Sequence, residues 1–259
     1  MYELNIWTIV LLCIAAAAAG WVDSVSGGGG MIQLPALFIA LPVGSEVNAL
    51  GTNKLSSIFG TATAARTYLK HLSPDWKTAL PMALVAFICA GLGAWTAHLV
   101  PTNYFASAAI IALIVIWLWT LFTPVLGSVT KLRWQGSRKH YVAAMLVGAA
   151  IGFYDGIFGP GTGSFLLIAL VGLLGYSFLM ASSTAKLVNL GTNAAALIVF
   201  GLSGSVLWLL GFLLAAFNIA GAFVGARTAI ARGSSFVRIV FLCVVALLII
   251  RLIWDVWLG

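Results

Sequence analysis

The run D-S-V-S-G-G-G-G-M-I-Q-L-P at Asp23 to Pro35, followed by an apolar stretch and then N-A-L-G-T-N-K at Asn48 to Lys54, decides how the rest of the chain is read. It sets an acid, four consecutive glycines and a lysine into sequence otherwise apolar enough to lie in a bilayer. Each glycine disfavours helix by roughly 1 kcal/mol relative to alanine, so a helix entering this run is expected to break at Gly27 to Gly30. Unwound backbone at membrane depth survives only where protein or a polar cavity supplies partners for its N–H and C=O groups. The glycines therefore point to an internal site.

The pattern returns at a constant offset of 132 residues without a gap. Gly20, Asp23, Gly27 and Gly29 align with Gly152, Asp155, Gly159 and Gly161. Thr52, Lys54 and Leu55 align with Thr184, Lys186 and Leu187. Trp76 falls on Trp208, and Gly93 with Ala94 on Gly225 with Ala226, so the register holds across most of both halves. Shared apolar positions mean little at this composition, whereas coincident Asp, Lys, Trp and Gly mark an internal duplication.

Of the 259 residues, 62% are hydrophobic and 7% charged, against about 25% charged in soluble domains. Uncharged runs of spanning length follow one another, which predicts a polytopic membrane protein in one domain, 1–259, with repeats at about 1–130 and 138–259. The net charge of +7 does not imply nucleic acid, because the bases fall in short loops rather than along one amphipathic face. Cys13, Cys89 and Cys243 lie in apolar segments without paired spacing and read as inert buried thiols. Ile6 to Ala19 is apolar like a signal peptide. The residues before it include Glu3 and no Lys or Arg, and its repeat partner lies in mid-chain, so it reads as a first membrane helix.

Five apolar segments are expected in each half: Ile6 to Val22, Met31 to Leu41, Val47 to Leu69, Thr78 to Val100 and Tyr104 to Leu126, then Tyr141 to Tyr154, Ser164 to Leu174, Phe178 to Leu202, Leu207 to Ala226 and Phe236 to Trp257. The second of each set is short. Met31 to Leu41 would reach roughly 16 Å as a helix, against a hydrocarbon core of roughly 30 Å, so it reads as half of a broken or re-entrant element, with Pro35 and Pro42 to bend or end it.

Lys and Arg favour cytoplasmic loops. Arg66, Lys70 and Lys77, then Lys131, Arg133, Arg138 and Lys139, then Arg227, Arg232 and Arg238 mark three such loops, while the counterpart of the first, Leu202 to Val206, and of the last, Val100 to Asn103, are uncharged. The bias swaps sides between halves. The fold expected is thus an all-α polytopic membrane protein of two inverted repeats with broken or re-entrant helices, about eight to ten membrane segments, both termini extracytoplasmic. Trp7, Trp76, Trp119, Trp134, Trp208, Trp254 and Trp257 sit near segment ends, as headgroup-level anchors do.

Inverted repeats with broken helices are a recurring transporter design, with sites where half-helix N-termini converge. Helices starting near Gly30 or Gly163 would present free N–H groups and a partial positive dipole, a seat for an anion; glycines that merely allow close helix packing are the other reading. Lys54 and Lys186 lie inside apolar segments, where a charge costs at least roughly 2.5 kcal/mol. Ser57 and Thr61 follow Lys54 at three and seven residues, as Asn189 and Asn193 follow Lys186, so each lysine heads a polar stripe on one helix face. Either the lysines recruit substrate or they pair structurally with Asp23 and Asp155. Those aspartates are candidates for helix capping, lysine pairing or proton uptake during transport.

The candidate substrate-binding set is Gly28, Gly29, Gly30, Gln33, Thr52, Asn53, Lys54, Ser57, Gly161, Thr162, Gly163, Thr184, Lys186, Asn189 and Asn193. Glu46, opposite Phe178 in the repeat, reads as an interface marker. His71 and His140 fall in basic loops and His98 near a segment end, so they read as solvated or interfacial, and no metal set or nucleophilic triad is visible. The P-loop consensus is absent. No enzyme activity, metal or cofactor is expected, and transport should run on gradients.

At these residues the chain resembles the TauE/SafE family of sulfite exporters, the TSUP transporters, over nearly its whole length. The resemblance rests on D-S-V-S-G-G-G-G-M-I-Q-L-P-A-L at Asp23 to Leu37, G-T-N-K at Gly51 to Lys54, and Y-D-G-I-F-G-P-G-T-G-S-F at Tyr154 to Phe165. It implies an inner-membrane permease for small anions, typically sulfite or organosulfonates and in some members carboxylates, with its functional zone at Gly27 to Gln33, Thr52 to Lys54, Gly159 to Gly163 and Thr184 to Lys186. Asn53 becomes Ala185 in the second half, so the two sides of a cavity would differ. The partners expected are a small anionic substrate and the lipid bilayer, not nucleic acid, with homo-oligomerisation left open. A passive anion channel, a carboxylate permease and, third, a membrane-embedded enzyme are the rival readings.

Overall fold

The computed structural model describes residues 5–42, 44–97, 117–118, 121–122 and 127–253. Most of the segment expected at 104–126, the loop 100–103, His98, Trp119, Trp254 and Trp257 lie outside the described residues. Every regular element among the described residues is helical. They are α1 (Ile6–Ser26), α2 (Gly30–Ala40), α3 (Glu46–Leu69), α4 (Trp76–Thr96), α5 (Arg138–Ile157), α6 (Thr162–Ala169) running on into a π-helical turn (Leu170–Leu174), α7 (Phe178–Leu202) and α8 (Trp208–Ile253).

Among the described residues, α1, α4, α5, α7 and α8 are long and apolar enough to cross a bilayer. Helix α3 has 24 residues, about 36 Å, which is sufficient length. Its lower hydropathy comes from the buried stripe of Thr52, Asn53, Lys54, Ser56 and Thr61. Large apolar side chains such as Ile39, Leu84, Leu146 and Leu209 face outward, as lipid contact requires, while alanines and glycines fill the helix contacts.

Those contacts repeat with the sequence register. Gly20 of α1 lies against the backbone of Asn218 in α8, and its counterpart Gly152 of α5 lies against Ala86 of α4, the counterpart of Asn218. Gly225 abuts the carbonyl of Trp21, and Gly93 abuts that of Phe153, again at matched positions. A Cβ at any of the four would strike backbone, so α1 on α8 and α5 on α4 are two versions of one glycine-enabled interface.

Several boundaries differ from expectation. Helix α1 continues four residues beyond Val22, which places Asp23 in its last turn. The second half has no loop after Ala226: α8 continues through Arg227 and Arg232, and is interrupted only at Gly233, where φ is 72°. The Arg227 guanidinium lies 4.3 Å from the Phe223 ring centroid, and that of Arg232 lies 4.9 Å from Phe236. Stacked this way at the surface, the Arg227 charge does not end the helix, which runs on to the break after Arg232. Cys243 is exposed on α8, contrary to the buried thiol expected; Cys13 is buried. Glu46 is exposed and accepts from the Gly44 N–H at 3.3 Å in the first turn of α3.

His140 is the clearest local correction. Helix α5 begins at Arg138, three residues earlier than expected, and buries the imidazole to 1% exposure. Nδ1 lies 2.8 Å from the Arg133 carbonyl and Nε2 lies 3.1 Å from the Thr78 hydroxyl, which donates to Asp75 at 2.8 Å. Burial keeps the Tyr176 phenol raised and protonated, so it too donates to Asp75, at 3.2 Å. The linker between the halves is fastened to the same corner: the N–H groups of Lys131 and Arg133 donate to the carbonyls of Gly175 and Leu174 left free at the end of the π turn.

Candidate functional site

The glycine run does what its composition predicts. Gly27 and Gly28 take φ of 81° and 94°, values that side-chain-bearing residues rarely adopt, and they end α1 before α2 starts at Gly30. In the second half Gly159 and Gly161 take φ of 83° and 82° ahead of α6. The two breaks meet, with the backbone of Gly27 lying so close to Gly163 and Ser164 that a Cβ would strike them.

Breaking α1 frees its last carbonyls, and side chains from three other helices satisfy them. Tyr68 of α3 donates to Ser24 O at 2.9 Å, Ser182 of α7 to Val25 O at 2.9 Å, and Ser164 of α6 to Ser26 O at 3.3 Å. Tyr154 donates to Pro160 O at 2.8 Å in the other break. None of these donors belongs to the sequence-derived set. Asn218, a lone amide in an apolar helix, is a further omission, and it donates to Gln33 Oε1 at 3.1 Å.

Each lysine pairs with the aspartate of the opposite half. Lys54 Nζ lies 2.7 Å from Asp155 Oδ2, with side-chain exposures of 3% and 1%. Lys186 Nζ lies 2.9 Å from Asp23 Oδ2, with exposures of 1% and 18%. Such pairing offsets a desolvation cost of several kcal/mol per ion. Thr162 donates to Asp155 Oδ1 at 2.6 Å. Neither N-cap, Gly29 nor Gly161, has a side-chain cap, so the aspartates act as ion-pair partners rather than caps.

A polar cavity of about 20 Å³ lies where these parts converge. Of the sequence-derived residues, Gly28, Gly30, Asn53, Lys54, Ser57, Thr162, Gly163, Asn189 and Asn193 line it, with Asp23 and Asp155. Thr61 links the two stripes, accepting from Asn193 at 3.4 Å and donating to Asp23 at 3.5 Å. Six candidates stand off the cavity wall. Gly29 is packed against Ala19 and the Asp23 Cβ. Gln33 is held by Asn218, and Thr52 accepts from the Leu207 N–H at 3.0 Å. Gly161 forms the left-handed N-cap of α6, Thr184 is buried, and Lys186 stands behind Asp23. Asn53 Oδ1 is buried without a donor. No group of three or more His, Cys, Asp or Glu side chains that could hold a metal occurs among the described residues.

A bundle of apolar helices interrupted by paired glycine breaks, with ionised side chains buried where the breaks meet, is the build of a polytopic membrane transporter. The family model for "Sulfite exporter TauE/SafE" matches residues 12–252, and the chain belongs to that family. A "probable membrane transporter protein ORF9" from Sinorhizobium sp. is 39% identical, the match covering 100% of both chains. "Probable membrane transporter protein YfcA" of Escherichia coli K12 is 32% identical over 96% of this chain and 93% of its own, and a "probable membrane transporter protein" of Haemophilus influenzae is 31% identical over 95% and 94%.

Proposed function

We propose that the chain is an inner-membrane transporter of a small anion such as sulfite or an organosulfonate, working as an exporter by alternating access and driven by gradients. The observation that carries this reading is Lys54: a buried ammonium on the wall of a polar cavity, beside the starts of two short helices at Gly30 and Thr162–Gly163. Lysine and free helix N–H groups together suit an oxyanion. The uneven placement of Lys and Arg supports inversion of the two halves across the membrane, with both termini outside.

A cavity of about 20 Å³ seats one or two waters and no sulfonate. A site this narrow favours a gated carrier over an open channel. The test is counterflow in proteoliposomes preloaded with sulfite, methanesulfonate, lactate or acetate. Exchange of the sulfur anions, saturable and dependent on internal substrate, is the expected result. Preference for lactate or acetate would make the protein a carboxylate permease, and flux without saturation or counterflow would make it a channel.

A further inference from the structure

The site is electrically neutral, with Lys54 and Lys186 set against Asp23 and Asp155. An anion placed in it adds a negative charge that no side chain there balances, and an uncompensated buried charge is strongly disfavoured. Resting on the anion-transport reading above, we propose that each anion is carried together with one proton, and that Asp155 is the group that holds it.

The two ion pairs are not equivalent. Both members of the Lys54–Asp155 pair line the cavity, whereas Lys186 stands behind Asp23, off the wall. An arriving anion therefore meets Lys54 and draws its ammonium away from Asp155. Asp23 keeps Lys186. Asp155 Oδ1 retains the Thr162 hydroxyl, but Oδ2 has no hydrogen-bond donor once the ammonium leaves, in a side chain only 1% exposed. The proton goes to that oxygen. Asn53, whose Oδ1 is buried without a donor, lines the same cavity.

The other groups around Asp155 leave it in this role. Lys54 faces it from α3 and Asp23 shares the cavity wall from α1, with Lys186 of α7 held by Asp23, while Tyr154 on its own helix is committed to Pro160 O. Helix α4 presents Ala90, Gly93 and Ala94 to this part of α5, and α6 presents Thr162. Neutral site plus anion plus proton gives a neutral loaded site. One O–H bond forms on loading and breaks on release, with the proton drawn from and returned to water.

Methanesulfonate tests this cleanly, because it stays a monoanion across the working pH range and any proton that moves is held by the protein. In proteoliposomes containing a pH-sensitive dye, with the potential clamped by potassium and valinomycin, its uptake should acidify the lumen by one proton per anion and be insensitive to the potential. In Asp155→Asn, methanesulfonate that crosses should carry no proton and follow the potential. Should Asp155→Asn not insert, Thr162→Val keeps the carboxylate but removes a donor to its ionised form, and should move the alkaline limb of the flux profile to higher pH. Potential-driven methanesulfonate flux without acidification in the unaltered protein overturns the coupling while leaving anion transport intact. Wild-type proton stoichiometry in Asp155→Asn overturns the assignment to Asp155. Movement of no anion at all removes the transport reading and this inference with it.

Discussion

Asn193 donates to Thr61 at 3.4 Å, and the two residues are each other's counterparts at the 132-residue offset. A contact between repeat equivalents marks where the halves meet face to face. The ion pairs flank it in reciprocal fashion, so the charge arrangement belongs to the junction rather than to either half.

Removing one partner of a buried pair leaves the other uncompensated. Lys54→Met should destabilise the folded protein by about 3–5 kcal/mol, and Lys54→Met with Asp155→Asn should recover most of that. Unfolding of detergent-solubilised protein measures it. Equal stability of the single and double variants would show that the pair is solvated.

Lys54 lines the cavity and Lys186 stands behind Asp23. Calorimetric titration with methanesulfonate on folded variants should therefore show a larger affinity loss in Lys54→Met than in Lys186→Met. The reverse order would shift the binding position toward Asp23.

Two glycines of similar φ separate backbone strain from close packing. Gly44→Ala, at φ 87° with open space around it, should cost about 1–2 kcal/mol. Gly27→Ala, at φ 81° and pressed on Gly163, should cost more and abolish counterflow. Comparable thermal shifts in the two variants would mean that the breaks are looser than drawn.

The proposed inversion of the two halves has a labelling test. In a background without Cys243, which is exposed, single cysteines at Ser203 and Ser137 should react with an impermeant reagent from opposite sides of the membrane. Reaction from one side would remove the inversion.

Thr78 joins buried His140 to Asp75, so Thr78→Val should cost about 1–3 kcal/mol through the unpaired groups it leaves. Because none of Thr78, His140 and Asp75 lines the cavity, methanesulfonate affinity should stay at the parent value. A weakened affinity would tie the linker to the site.

Much of this was legible because glycine, aspartate and lysine are costly inside an apolar helix and so announce themselves. The break at Gly27 to Gly30, the shortness of α2 and the burial of both lysines follow from local composition. The crossing of the ion pairs does not. Asp23 and Lys54 lie within one half, and helix spacing says nothing about whether Lys54 reaches Asp23 or Asp155; only the way the helices gather around the two breaks decides. The burial of His140 is not legible, because Arg138 and Lys139 beside it point to water while one turn of helix suffices to carry the imidazole inward. The continuity of α8 past Arg227 was hidden for the reason that the arginines lie along aromatic faces, a compensation visible only in three dimensions.

The crossed pairs have the reciprocity of a two-fold dimer interface, in which a residue of one subunit meets a second residue of its partner and the second meets the first. Here both subunits are halves of one chain. A single repeat holding its own aspartate and lysine carries every charge needed to pair with an identical copy. Once joined, the copies were free to diverge, and Asn53 opposite Ala185 is such a divergence at the cavity. Fusion makes possible what a symmetric pair forbids: two otherwise matched carboxylates, one exchanging its partner and the other keeping it.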